Sequence, residues 1–187
     1  MFAPLRGIAV VVLVAALGGS AVASKLAVGR VSAEADVADE AGAVTLLVHS
    51  GLLGDDRTLV DPPPGLTVST AATVLPSLGA EHGVLLDLGR DGLELQLTVV
   101  IVGVTGDPDV SVVRAGDGDV TALARGAVDR VTAKLGLIKG RVPEVALGRL
   151  RPYAAALRLR AKDPTGAAQA LADAVPNTAL AVPAIPT

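Results

Sequence analysis

The sequence predicts an α/β (α+β) protein: a mixed sheet with an antiparallel three-stranded meander packed on helices, plus a C-terminal helical hairpin. Three observations predict it. Residues 84–88, 93–104 and 110–113 have strand length and strand composition, and are separated by Asp91-Gly92 and Gly106-Asp107-Pro108. Val120, Leu123, Ala124, Ala127, Val128, Val131 and Leu135 recur at helical spacing, a stripe one helix face wide. Beyond Pro143 the chain turns rich in Ala, Leu and Arg, and Asp163-Pro164 divides it into two helical stretches.

Composition bounds what such a fold can do. Apolar residues make up 51% of the chain but aromatic ones only 1%, namely Phe2 and Tyr153, so the core must be aliphatic. With so few rings there is no stacking surface for nucleic acid. There is no cysteine, which excludes a disulfide scaffold, a thiolate metal site and a thiol nucleophile. The net charge of −3 is unevenly spread. Residues 31–63 are acidic, with Arg57 as their only base, while residues 130–162 are basic, with Glu144 as their only acid.

The elements follow in order. Arg6 precedes an uncharged apolar run over residues 8–19, and Ala21 and Ala23 sit at the small-residue positions of an Ala-x-Ala cleavage site. Residues 1–23 therefore read as a secretory signal peptide cut after Ala23, or as an uncleaved anchor extended through residue 28. The run is shorter than the roughly 20 apolar residues of a full membrane span. Residues 24–42 lack periodicity and read as a linker. An α/β domain is expected over residues 43–138, opening with a buried strand at 44–49, VTLLVH. Gly51 to Gly65 form a loop whose three consecutive prolines favour an extended path. Residues 66–68 suggest a short strand, and Ser69 or Thr70 starts a brief helix through Leu78 that Pro76 must bend or end.

The strand at 84–88 leads into a hairpin with Asp91-Gly92 as its two turn residues. In the strand that follows, Leu93, Leu95, Leu97, Val99 and Ile101 share one face. The other face changes from Glu94, Gln96 and Thr98 to Val100, Val102 and Val104, as in a strand half exposed at its start and sandwiched at its end. Asp119 or Thr121 starts the long helix, and Gly136 ends it, with Lys134 at its negative end. A helical hairpin is expected over residues 143–176 and a disordered tail over 177–187.

Candidate chemistry is sparse. His49-Ser50, with Asp55 or Asp56 as a third member, lacks the GxSxG setting of a nucleophile elbow, so a hydrolase is the least favoured reading. His82 reads as a loop residue before a strand. Asp107, Asp109, Asp117 and Asp119 lack the spacing of a calcium loop and read as turn and cap residues. Glu81 and Asp87 are isolated carboxylates, and no Gly-rich run ends in Lys-Ser or Lys-Thr. No catalytic residue, metal ligand or cofactor site is expected.

Leu78-Gly79-Ala80, Gly83-Val84-Leu85, Asp91-Gly92, Leu95-Gln96-Leu97 and Val104-Thr105-Gly106, followed by the helix at 120–137, resemble the exported α/β domain of TolB N-terminal-like and FlgO-like proteins. In such proteins tetratricopeptide repeats often follow, and Tyr153, Gly166, Ala168, Leu171, Ala174 and Pro176 are similar to one degenerate repeat. The family carries a helix after its first strand. The Pro-rich loop at 51–65 stands in that place here, leaving one sheet face uncovered or covered by a partner.

The resemblance and the export segment together imply a non-enzymatic cell-envelope module, periplasmic or attached to the outer face of the cytoplasmic membrane. It would act through protein–protein contacts as a scaffold or assembly accessory. The expected docking surface for an envelope protein is Arg149, Arg151, Tyr153, Arg158 and Arg160, with the edge left by the Pro-rich loop as a second surface. The alternative is a binder of a small ligand or anionic polymer through the same basic face.

Overall fold

The computed structural model describes residues 24–159 together with Asp163 and Gly166, the side chains of 157–159 aside. The expected signal segment, the second helix of the hairpin, the tail and Arg160 lie outside those residues, whereas residues 24–28, the end of the expected anchor, form part of a strand.

Among the described residues five strands form one sheet: β1 (Ser24–Ala33), β2 (Arg57–Val60), β3 (His82–Asp91), β4 (Glu94–Gly103) and β5 (Asp109–Gly116). Their order is β2-β1-β3-β4-β5, with β2, β1 and β3 parallel and β4 and β5 each antiparallel to the strand before. Four described helices accompany the sheet: α1 (Ala38–Leu52), α2 (Ala71–Leu78), α3 (Val120–Leu135) and α4 (Leu147–Leu159). The mixed α+β class is thus the observed one.

Residues 24–42 are not a linker. They hold β1, a 3-10 turn at Ala35–Val37 and the start of α1. Leu26, Ala27 and Val28 are buried in succession because β1 lies mid-sheet with both faces covered, so the strand shows no alternation. Residues 44–49 are not a strand but the middle of α1, where Val44, Leu47 and Val48 are fully enclosed. A short apolar run reads alike as buried helix and buried strand. Residues 66–68 form no strand either; they belong to the loop that leads into α2. The helix expected to be missing after the first strand is present as α1, since the first strand is β1.

The main core lies between one sheet face and α1 and α3, with α4 packed on α1. Leu26 and Val28 of β1, Val84, Leu86 and Leu88 of β3, and Leu95, Leu97, Val99 and Ile101 of β4 supply the sheet side. Each such side chain contributes about 1.5–3 kcal/mol through removal from water. Leu93 does not join this face: it sits at the turn and is 83% exposed. Helices approach closely where glycines allow it. A Cβ on Gly42 of α1 would lie 2.5 Å from that of Ala154 in α4. The α/β unit therefore spans residues 24–156 rather than 43–138, with α4 part of its core through Leu150, Ala154 and Ala156.

Among the described residues the opposite face is covered by the eight-residue α2 and by Leu66 of the loop before it. Ala71 and Leu75 pack on Ala27, Ala80 and Val102. Gly79, with φ +65°, ends α2 in a left-handed cap. Farther along the same face Val110 and Val112 of β5 are 59% and 46% exposed. At the amino end of the parallel strands Arg57 is buried. Its guanidinium donates to the Ile138 carbonyl and lies 2.9 Å from Asp56, tying β2 to the chain that follows α3.

Candidate functional site

The site is built where β1 breaks its ladder. Val28 faces Val84 and Val31 faces Leu86, so β1 holds one extra residue around Gly29 and Arg30, a bulge beside β3. The carbonyl of Val84 would lie 3.3 Å from a Cβ on Gly29. After β2 the chain passes Asp61 and the three prolines. Gly65 then turns it with φ +98°, and Leu66 packs into the α2 cluster. A hydroxyl network fixes this return: Thr67 N–H donates to Thr70 Oγ1 at 2.8 Å, and that hydroxyl donates to the Gly65 carbonyl at 2.9 Å.

Between the loop and the sheet lies a cleft of about 680 Å³ on the α2 side. Its floor is Leu85 and Val100, both half-buried, and its far wall is the proline run with Leu66 and Val68. The rim carries Arg30, Asp61 and Asp87, all exposed, and Ser32, whose hydroxyl donates to Asp87. Neither Arg30 nor Asp61 joins an ion pair among the described residues. The location follows a general rule. α1 leaves β1 on one face, α2 returns to β3 on the other, and ligands of open α/β sheets bind at the carboxyl ends of the strands where the winding reverses.

Behind the bulge sits His49 of α1, with its Nε2 enclosed and without a hydrogen-bond partner. Burial lowers its pKa below the ordinary 6.5, Asp61 and the Gly29 backbone oppose that shift, and Arg30 adds to it. The neutral imidazole is therefore favoured. Ser50 is the next helical residue, so its side chain diverges from that of His49 by about 100°. No hydrogen bond joins the two. Asp55 and Asp56 lie at the opposite, amino end of the parallel strands, beside Arg57. The triad geometry is not assembled.

Three carboxylates near β5 have structural partners. Asp109 pairs with Lys134 and Asp117 with Arg90 at 2.8 Å, while Asp119 caps α3 by accepting from Ala122 N–H at 3.0 Å. Among the described residues no cluster of His, Cys, Asp and Glu can hold a metal ion.

The expected basic surface is only partly present. Arg149 and Arg151 are exposed on α4, and Arg151 lies 3.7 Å from Asp39 at the start of α1, so the acidic and basic segments of the chain meet within it. Tyr153 is 5% exposed and thus belongs to the interior, a correction to its expected docking role: it lies on the same side of α4 as Leu150 and Ala154, against the core. The side chain of Arg158, like Arg160, lies outside the described residues. Sequence reasoning missed Arg30 and Ser32 altogether. The signal for them was the Gly29-Arg30 break inside an otherwise apolar strand.

No family model, no curated protein and no solved structure matches the chain. Among the described residues no helix is long and apolar enough to cross a membrane.

Proposed function

We propose that this protein is an exported, non-catalytic binding module of the cell envelope that captures an extended aliphatic segment of a partner protein in the cleft between the Pro-rich loop and the sheet. The observation that carries this reading is the cleft itself: aliphatic floor, proline wall, and a rim with a cation, Arg30, and an anion, Asp61, that no ion pair engages among the described residues. A peptide offers groups of both signs to such a rim and aliphatic side chains to such a floor. The lining has no aromatic side chain on which a base or sugar would stack. Export rests on the segment before Ser24. It reads as a signal peptide cut after Ala23. The likeness to TolB-like and FlgO-like domains points the same way. Docking through Arg149 and Arg151 has less support, since Arg151 is engaged with Asp39 and Tyr153 is buried.

The test is selection of displayed random dodecapeptides on the full-length protein, with binding of enriched peptides measured by fluorescence anisotropy. Enriched peptides should be aliphatic, and Leu85→Asp should weaken them about 10-fold, the loss of one buried apolar contact. Arg30→Glu, an exposed change that leaves the core alone, should alter which charged residues are selected. Absence of enrichment, or equal binding by wild type and both folded variants, overturns the proposal.

A further inference from the structure

The two edges of the sheet are built differently. β2 is four residues long and runs within two residues into three prolines, which lack a backbone N–H. β5 pairs with β4 along all eight of its residues without a register shift, and it contains no proline or lysine. Among the described residues no strand pairs with its outer backbone groups, which are therefore a template for another strand. Two β-branched side chains, Val110 and Val112, stand exposed on the face away from α3.

We propose that β5 is a homodimerisation edge: two copies pair β5 antiparallel to β5 about a two-fold axis at Ser111, joining two five-stranded sheets into one. The strand is complementary to itself. An axis through Ser111 sets Val110 opposite Val112 of the second copy, and Val112 opposite Val110, all on one face. Such β-branched cross-strand pairs are favourable. The same register takes Arg114, at the end of the strand, to Pro108 of the second copy, flanked there by Asp107 and Asp109. Arg114 and Asp107 join no ion pair among the described residues, so the meeting supplies each with an opposite charge. An isologous contact of this kind closes on itself and leaves no further edge at β5.

The cysteine-free sequence makes the register testable. In full-length Ser111→Cys the two thiols would sit on residues whose Cα atoms are about 4.5–5.5 Å apart, within reach of a disulfide. Mild oxidation should give a covalent dimer. The same treatment of Leu93→Cys, exposed at the remote β3–β4 turn, should give only the slow product of random collision. By sedimentation equilibrium the wild type should be dimeric, and Val112→Lys should be monomeric with its melting curve retained. A wild type that stays monomeric at its highest soluble concentration overturns the proposal. So does a dimer that survives Val112→Lys, or crosslinking of Leu93→Cys as fast as that of Ser111→Cys.

Discussion

The backbone N–H of Val31 donates to the side-chain oxygen of Thr45 at 3.0 Å, joining the bulged strand β1 to helix α1. β2 stops pairing with β1 at Ala27, and the ladder with β3 shifts between Val28 and Val31, so this N–H falls where neither ladder is continuous. The Thr45 hydroxyl is itself fixed, donating to the Ala41 carbonyl at 2.8 Å. One threonine thus holds the bulge that shapes the cleft.

Thr45→Val keeps the shape of the side chain and removes the acceptor. Leaving a partly buried N–H unpaired should cost about 1–2 kcal/mol, whereas Thr45→Ser should cost less because it keeps the oxygen. Urea denaturation of the three proteins measures this. Equal stability of wild type and Thr45→Val would show that water replaces the hydroxyl.

At the contact of α1 with α4, helix propensity and packing pull in opposite directions. Gly42→Ala gains up to about 1 kcal/mol of propensity. Its new Cβ, however, would lie 2.5 Å from the Ala154 Cβ and 3.1 Å from that residue's Cα, so the backbone of α4 must move. Packing should win, with a net loss of about 1–3 kcal/mol. A Cβ on Gly148 of α4 would meet nothing within 4 Å, so Gly148→Ala should be neutral or slightly stabilising. Melting temperatures that fall together in both variants would contradict the packing account.

The β3–β4 hairpin supplies a third test. Asp91 pairs with Glu94, which makes Gly92 and Leu93 the two turn residues and moves the turn one residue beyond the Asp-Gly pair. Gly92 has φ +62°, and among the described residues no non-glycine has positive φ, the pattern of a turn with glycine at its first central position. Gly92→Ala should cost about 1–2 kcal/mol and Gly92→Asn less, because asparagine tolerates left-handed backbone. Asp91→Asn should cost little, since Asp91 sits in the ladder and its side chain accepts from Gln96 at 2.9 Å, a bond that an amide oxygen can replace. Thermal unfolding of the three variants separates this turn from one centred on Asp91.

The sequence was legible where one face of an element meets water. β4 alternates for its first half, α3 shows one apolar stripe, and Asp119 and Gly136 mark the ends of α3 where the caps are found. It was illegible where burial removes alternation, as in Leu26, Ala27 and Val28, or where a helix core reads as a strand, as in residues 44–49. β2 escaped notice because four residues, Arg57 among them, carry no pattern. The cleft announced itself only through its prolines. Arg30 and Asp87 are 57 residues apart in sequence, counted as 87 minus 30, and only the parallel pairing of β1 with β3 brings them to one rim.

His49 links stability to pH. Burial holds its pKa below 6.5, against the pull of Asp61 and of the Gly29 and Val28 backbone and with the help of Arg30. As pH falls through 6.5 the unfolded chain takes up a proton at this residue while the folded chain does not, so the unfolded state binds more protons and stability declines. Above that pH both states are neutral at His49 and the residue adds no pH dependence. Below the lowered folded value both are charged, and the loss is complete. Urea denaturation from about pH 7.5 down to about 5.5 should therefore show a falling stability in wild type and a flatter profile in His49→Gln, which has no proton to gain near that range. The difference between the two proteins isolates His49 from every group they share. Parallel profiles would mean that the imidazole is solvated in the folded protein, and that the enclosed Nε2 is reached by water.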